Sequence, residues 1–325
     1  MIEEIRDLLK LAERYPRYFS MEVVGTSASP DSLPIYKFTL SDHNSVKTNT
    51  PALGLFAGFH GIEAIGVKIL TVFIDHVLEQ TNWNTQVCDL LARLKIVGIP
   101  IVNPGGYVRG SRCNPNGVDL MRNAPVESSE SLPIVGGHRI SARLPYFRGT
   151  GGFEPENLCV IDLVKQDLWT SPFSLSLDLH SGFGAEDYLW TPYARAQGYP
   201  PHWDSYSNIK SRLDSTLKNH VYRFEPQSAQ YCTAGDLWDY LFDQSLENFK
   251  NSDRIFLPVT LEVGSWVWLK KAPFKIFEIR NLFNPAHHHR ERRVLRRHLP
   301  LLNLLLNIVA DYERVIDQSA KRKAG

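Results

Sequence analysis

The sequence predicts one α/β domain with a central mixed, largely parallel sheet covered by helices, and three observations lead there. The first is length: 325 residues and 37.0 kDa can bury a full apolar core without a disulfide framework or a structural metal. The second is a set of apolar runs of strand length, among them LGLFAG, KIVGIPIV, FSLSLDL and FLPVTL. The third is the helix-period sequence between such runs, plainest from Glu63 onward, which supplies covering layers.

Taken in order, MIEEIRDLLKLAERYPRYF has an amphipathic acidic and basic helix pattern, and MEVVG and LPIYKFTL are strand-like segments separated by the turn-rich SASPDS. LGLFAG is a buried strand followed by a long helix, and LARLKIVGIPIVNPGG supplies another strand. Residues 103 to 157 are rich in Gly and Pro and hold no long periodic element, which points to part of a site or a lid. FSLSLDLHSGFG is a strand that ends at His180; IKSRLDSTLKNHVYRF reads as a helix and IFLPVTLEVGS as a strand. LPLLNLLLNIVADYERVI reads as a buried helix, because Asn303, Asn307 and Asp311 interrupt it too soon for a membrane span. No repeat or linker divides residues 1 to 325, so the chain is expected to be one domain, with functional residues at strand ends and in the loops beyond them.

Composition narrows the partners. A hydrophobic fraction of 43%, a charged fraction of 22% and a net charge of +1 fit a globular protein and give no global reason to expect nucleic acid or an anionic membrane. Cys88, Cys113, Cys159 and Cys232 lack paired metal spacing and read as separate thiols, and the first helix lacks the form of an export signal, so a cytoplasmic location is expected. The basic stretch HHHRERRVLRRH, with His287, His288 and His289, reads as a solvated face, a contact with the acidic first helix or a homo-oligomer contact.

Chemistry concentrates around a few polar residues set in apolar sequence. His60 and Glu63 stand three apart at a strand-to-helix junction, where both can reach one ion, with Gly61 relieving crowding at the bend. His180, at the end of an apolar run, is placed to be a third ligand; a histidine read alone in such a place is more often a satisfied core residue than a ligand. Two imidazoles and one carboxylate leave zinc a position for water or substrate. Glu262 interrupts the strand FLPVTLEVGS, where it serves either as a carboxylate beside metal-bound water or as the partner of a buried base. Trp190, Trp203, Trp238, Trp266 and Trp268 are candidates for an aromatic wall, with ordinary core packing the reading for at least three.

The segments GFHGIEAIG, NPGGYVRGSRCNPNGVDLMRN, GTGGFEPEN, SLDLHSGFG, YCTAGDLWDY and LPVTLEVGS, in that order, resemble the zinc carboxypeptidase superfamily, peptidase family M14. The resemblance takes in its murein-peptide amidase-like members and the branch with aspartoacylase and succinylglutamate desuccinylase. It implies a carboxypeptidase-like fold and one zinc ion held by His60, Glu63 and His180, with Glu262 as the catalytic carboxylate. Asp119 would hold the far nitrogen of His60, the alternative being a simple Asx turn. Arg112 would face the developing oxyanion, with Arg109 as its alternative, and Arg122 would grip a substrate carboxylate. Tyr231 aligns with a mobile tyrosine that covers bound substrate, or else it packs beside Trp238. The family commonly has asparagine before the second arginine where this chain has Met121, which offers an apolar wall instead of polar contacts and speaks against ordinary C-terminal recognition.

The implied function is zinc-dependent hydrolysis of an amide in a carboxylate-bearing peptide or peptide-like substrate. The alternatives are an N-acyl amino acid deacylase and a non-catalytic metal-containing binding protein. Neither nucleic acid nor a membrane is an expected partner.

Overall fold

The computed structural model of the protein describes residues 1–47, 49–182, 184–265, 283–285 and 288–316. Its elements in chain order are α1 (Glu3–Arg14), β1 (Phe19–Thr26), β2 (Pro34–Leu40), β3 (Ala52–Ala57), α2 (Ala64–Gln80), α3 (Thr85–Leu91), β4 (Lys95–Ile99) and α4 (Pro104–Arg109). Then follow α5 (Pro155–Leu163), β5 (Phe173–Ser181), β6 (Asp187–Thr191), α6 (Trp203–Thr216), β7 (Tyr222–Pro226), α7 (Leu237–Asn248), β8 (Ile255–Val263), α8 (His288–Ala310) and α9 (Tyr312–Ile316).

The strands form one eight-stranded mixed sheet in the order β1-β2-β4-β3-β5-β8-β6-β7. Its centre, β4-β3-β5-β8, is parallel throughout, and every residue of β3 and β5 is buried. Strands covered on both faces need apolar side chains in both directions, which is why they read as continuous apolar runs. Along β3, Leu53 and Leu55 enter the core beneath α1, α2, α6 and α8, whereas Ala52 and Phe56 enter the core beneath α5 and α7. Helix α1 is stabilised by Glu3 and Glu4 at its N-terminal turn and Arg14 at its last turn, and turns Ile5 and Leu8 inward.

Two predicted segments are revised. The helix expected over IKSRLDSTLKNHVYRF stops at Thr216, and Tyr222–Pro226 continues as β7 because it pairs in parallel with β6. The strand through NPGG ends at Ile99; Asn103 then caps α4 by accepting from the Gly106 N–H at 2.8 Å. The basic stretch is the first half of α8, where Glu291 pairs with Lys68 at 2.7 Å, Arg297 pairs with Asp187 at 2.7 Å, and Arg292, Arg293 and Arg296 lie exposed. His287, Trp266 and Trp268 lie outside the described residues. No described helix is long and apolar enough to cross a membrane.

Candidate metal centre and its cavity

The site lies beyond the C-terminal ends of the three central strands. His60 follows β3, His180 is the penultimate residue of β5, and Glu262 is level with His180 on the adjacent β8. Glu63 is the residue before α2. Gly61 is needed here for close approach: a Cβ on it would collide with the backbone of Gly106 and Tyr107.

His60 Nδ1 lies 2.8 Å from Glu63 Oε1, His180 Nδ1 lies 3.1 Å from Glu63 Oε2, and the two Nδ1 atoms are 3.2 Å apart. All three residues are buried, and each offers a ligand atom to one point. A tetrahedral zinc with bonds of about 2.0–2.1 Å sets its donors roughly 3.3 Å apart, so the donor set and its spacing fit zinc. The far nitrogens reinforce this. His60 Nε2 lies 3.2 Å from Asp119 Oδ1, and His180 Nε2 lies 2.6 Å from Asp178 Oδ2. An ionised carboxylate only accepts, so each Nε2 carries the proton and each Nδ1 lone pair faces the shared point.

Asp119 does more than one job. Its Oδ1 also accepts from the Met121 N–H at 3.0 Å, so the local turn and the histidine contact coexist. Its Oδ2 accepts from Arg112 Nε at 2.8 Å. Burial works against its charge, but Arg112 and His60 beside it hold its carboxyl well below the usual range. Glu63 behaves alike: burial would raise it, yet His60 and His180 hold it far down. Burial likewise opposes the charge of His180, and Asp178 and Glu63 win, raising it well above the ordinary histidine value.

Asp178 has no place among the residues singled out from sequence. A signal for it exists: the strand period of two puts Asp178 and His180 on one face of β5. Its Oδ2 also accepts from Trp238 Nε1 at 2.8 Å, which takes Trp238 into the support of the site and out of the cavity wall.

The centre opens on a cavity of about 420 Å³ lined by Arg112, Met121, Arg122, Tyr231 and Glu262 along with the three metal-ligand candidates. Arg109 is elsewhere, paired with Asp31 at 2.8 Å, so Arg112 is the arginine facing the centre. Arg122 is buried, with Nε 3.3 Å from the Val135 carbonyl and Nη1 3.0 Å from the Met121 carbonyl. Tyr231 is half-buried and edge-on to Trp190 at 6.0 Å. Among the described residues Trp190 is the tryptophan of the wall; Trp203 packs between Tyr199 and Tyr206.

Two wall residues, Tyr146 and Phe283, are not legible in sequence. Ser181 Oγ donates to the Phe283 carbonyl at 2.8 Å, and Asn284 accepts from the Ile65 N–H at 3.0 Å while donating to the Ile62 carbonyl at 2.7 Å. These bonds seat a distant segment against the start of α2 and bring Phe283 to the cavity.

Fold and site together define the class: an α/β protein with a His-Glu-His group that could hold a metal ion at the ends of parallel strands. The zinc carboxypeptidase family model matches residues 5–266, and the chain belongs to that family. Carboxypeptidase D of Rattus norvegicus is 27% identical over 185 residues, covering 54% of this chain and 12% of the relative. The human carboxypeptidase N catalytic chain is 27% identical over 210 residues, covering 59% of this chain and 43% of the relative. The chain therefore corresponds to less than half the length of either. Among solved structures, thrombin activatable fibrinolysis inhibitor superposes with a TM-score of 0.70 at 19% identity over 94% of this chain and 73% of that one, showing the shared fold. Carboxypeptidase A from Helicoverpa armigera does so at 0.60 and 20% identity over 88% and 74% of the respective chains.

Proposed function

We propose that the protein hydrolyses an amide bond in a carboxylate-bearing peptide or peptide-like substrate. The observation that carries this reading is the convergence on one cavity of the His60, Glu63 and His180 donors, the Glu262 carboxylate and two arginines. Zinc, when bound, supplies Lewis acidity that polarises a carbonyl and makes water acidic enough to attack near neutral pH. Glu262 accepts the proton of the attacking water and returns it to the departing amine. Arg112, kept charged by Asp119 and Glu63 despite burial, faces the oxygen where negative charge develops. Arg122 takes the substrate carboxylate and so orients the scissile carbonyl. Tyr231 covers the substrate with its ring and hydroxyl, and Met121 gives the carboxylate subsite an apolar wall.

Deacylation of an N-acyl amino acid uses the same groups, and the apolar wall at Met121 beside Arg122 favours it as the second reading. The four free thiols are in keeping with a reducing compartment such as the cytoplasm.

A panel of C-terminally unblocked peptides, murein peptides, N-acyl amino acids and carboxylate-free amides tests both readings. Wild type is expected to turn over carboxylate-bearing amides, and Glu262→Gln to lose roughly 10²–10⁴-fold in kcat while keeping its metal. Full activity in Glu262→Gln, or equal cleavage of amides without a carboxylate, defeats the proposal.

A further inference from the structure

Tyr146 has φ 69°, in the left-handed region that a large aromatic residue rarely occupies. Two backbone bonds hold it there: its carbonyl accepts from the His138 N–H at 3.1 Å, and the Phe147 carbonyl accepts from the Asp119 N–H at 2.8 Å. The half-buried ring lines the catalytic cavity. The guanidinium carbon of Arg112 is 4.7 Å from its centroid, and that of Arg122 is 5.9 Å away.

Two like charges thus converge on one aromatic ring. Their other bonds are unequal. Arg112 donates to the carboxylate of Asp119, whereas the Arg122 side chain donates to the carbonyls of Val135 and Met121 and to the Tyr231 hydroxyl. Neutral acceptors constrain a guanidinium less than a charged partner does. The ring adds a constraint that the two arginines share, because its negative face attracts both cations.

We infer that Tyr146 is a positioning residue whose ring holds Arg112 and Arg122 as one array, so that substrates bearing an anionic group beyond the scissile carbonyl are selected. The inference rests on the proposed amide hydrolysis and deepens it. A strained backbone at a cavity wall gains a function by this reading: the left-handed turn aims the ring at both arginines.

The test compares kcat/KM for an N-acyl dipeptide and for its C-terminal amide in the zinc-loaded enzyme. Three variants are needed. Tyr146→Phe keeps the ring; Tyr146→Asn removes it with a residue that accepts positive φ; Tyr146→Gly is a second ring-free variant that relaxes the backbone further. Tyr146→Phe is expected to keep the acid-to-amide preference within about twofold of wild type, whereas the ring-free variants lower it by about tenfold, through KM for the acid, at unchanged zinc content. A preference that survives in the ring-free variants overturns this inference alone. Equal loss in Tyr146→Phe also overturns it, by assigning the effect to the hydroxyl. A wild type with no preference for the acid overturns the anchoring role of Arg122, and the inference with it.

Discussion

His180 and His298 are both buried imidazoles, 4% and 0% exposed, yet their surroundings shift their basicity in opposite directions. His180 is raised well above the ordinary histidine value, while burial in α8 pushes His298 down to about 4. Each has an aspartate nearby. Asp178 is 2.6 Å from His180 Nε2, whereas Asp187 is 3.7 Å from His298 Nε2 and is already bonded to Arg297 at 2.7 Å and to the Gly264 N–H at 2.9 Å. His298 Nδ1 lies 2.9 Å from the Tyr222 hydroxyl, a neutral contact that asks for no charge on the imidazole. Burial therefore does not set the state of a histidine by itself; the distance and prior commitments of the nearest carboxylate decide it. At the metal centre that basicity is available as metal affinity, and in α8 its absence leaves a packed, neutral side chain.

The strongest way to break the comparison is to delete a metal donor. His180→Ala is expected to purify with little zinc and no hydrolysis above background; metal analysis showing full occupancy would remove His180 from the ligand set. The next largest effect lies at His298. Its folded value of about 4 is below the unfolded value of 6.5, so its stabilising contribution is complete above pH 6.5 and is lost as pH falls toward 4, when the unfolded chain takes up a proton that the folded chain refuses. That difference corresponds to ~3 kcal/mol. Urea melts at pH 7, 5 and 4 should show wild type losing about that much more than His298→Gln, and parallel losses would contradict the neutral buried state.

A smaller effect sharpens the metal side. Asp178→Asn keeps an acceptor for Trp238 but weakens the hold on His180, and chelator competition should show zinc affinity reduced by roughly ten- to a hundredfold. Unchanged affinity would make Asp178 a packing residue. The surface supplies the control: Asp214, 44% exposed, pairs with Lys210 and His220, and Asp214→Asn should change stability by less than about 0.5 kcal/mol. A large change there would mean that exposure does not separate the weak pairs from the strong ones.

The same physics explains which residues are legible in the sequence. His60, Glu63, His180 and Glu262 stand out because charged groups at the ends of apolar strands are costly unless they are used. The choice between Arg112 and Arg109 stays open in sequence, since a loop turn between them sets which one faces inward, and only the fold sends Arg109 to Asp31. β7 reads as the end of a helix because its pairing with β6 is a long-range property that a short run of sequence does not carry. Phe283 reaches the cavity through Ser181 and Asn284, contacts spanning about a hundred residues or more of chain.

The candidate donor types, their order and the apolar frame were determined by the sequence alone, because period and polarity are local. Tertiary structure decided which partners hold those ligands: Asp178 on His180, Asp119 shared between His60 and Arg112, and the Tyr146 ring beside two arginines. Such assignments depend on distances of a few ångströms between segments far apart in the chain, and only packing the sheet and its covering layers sets those distances.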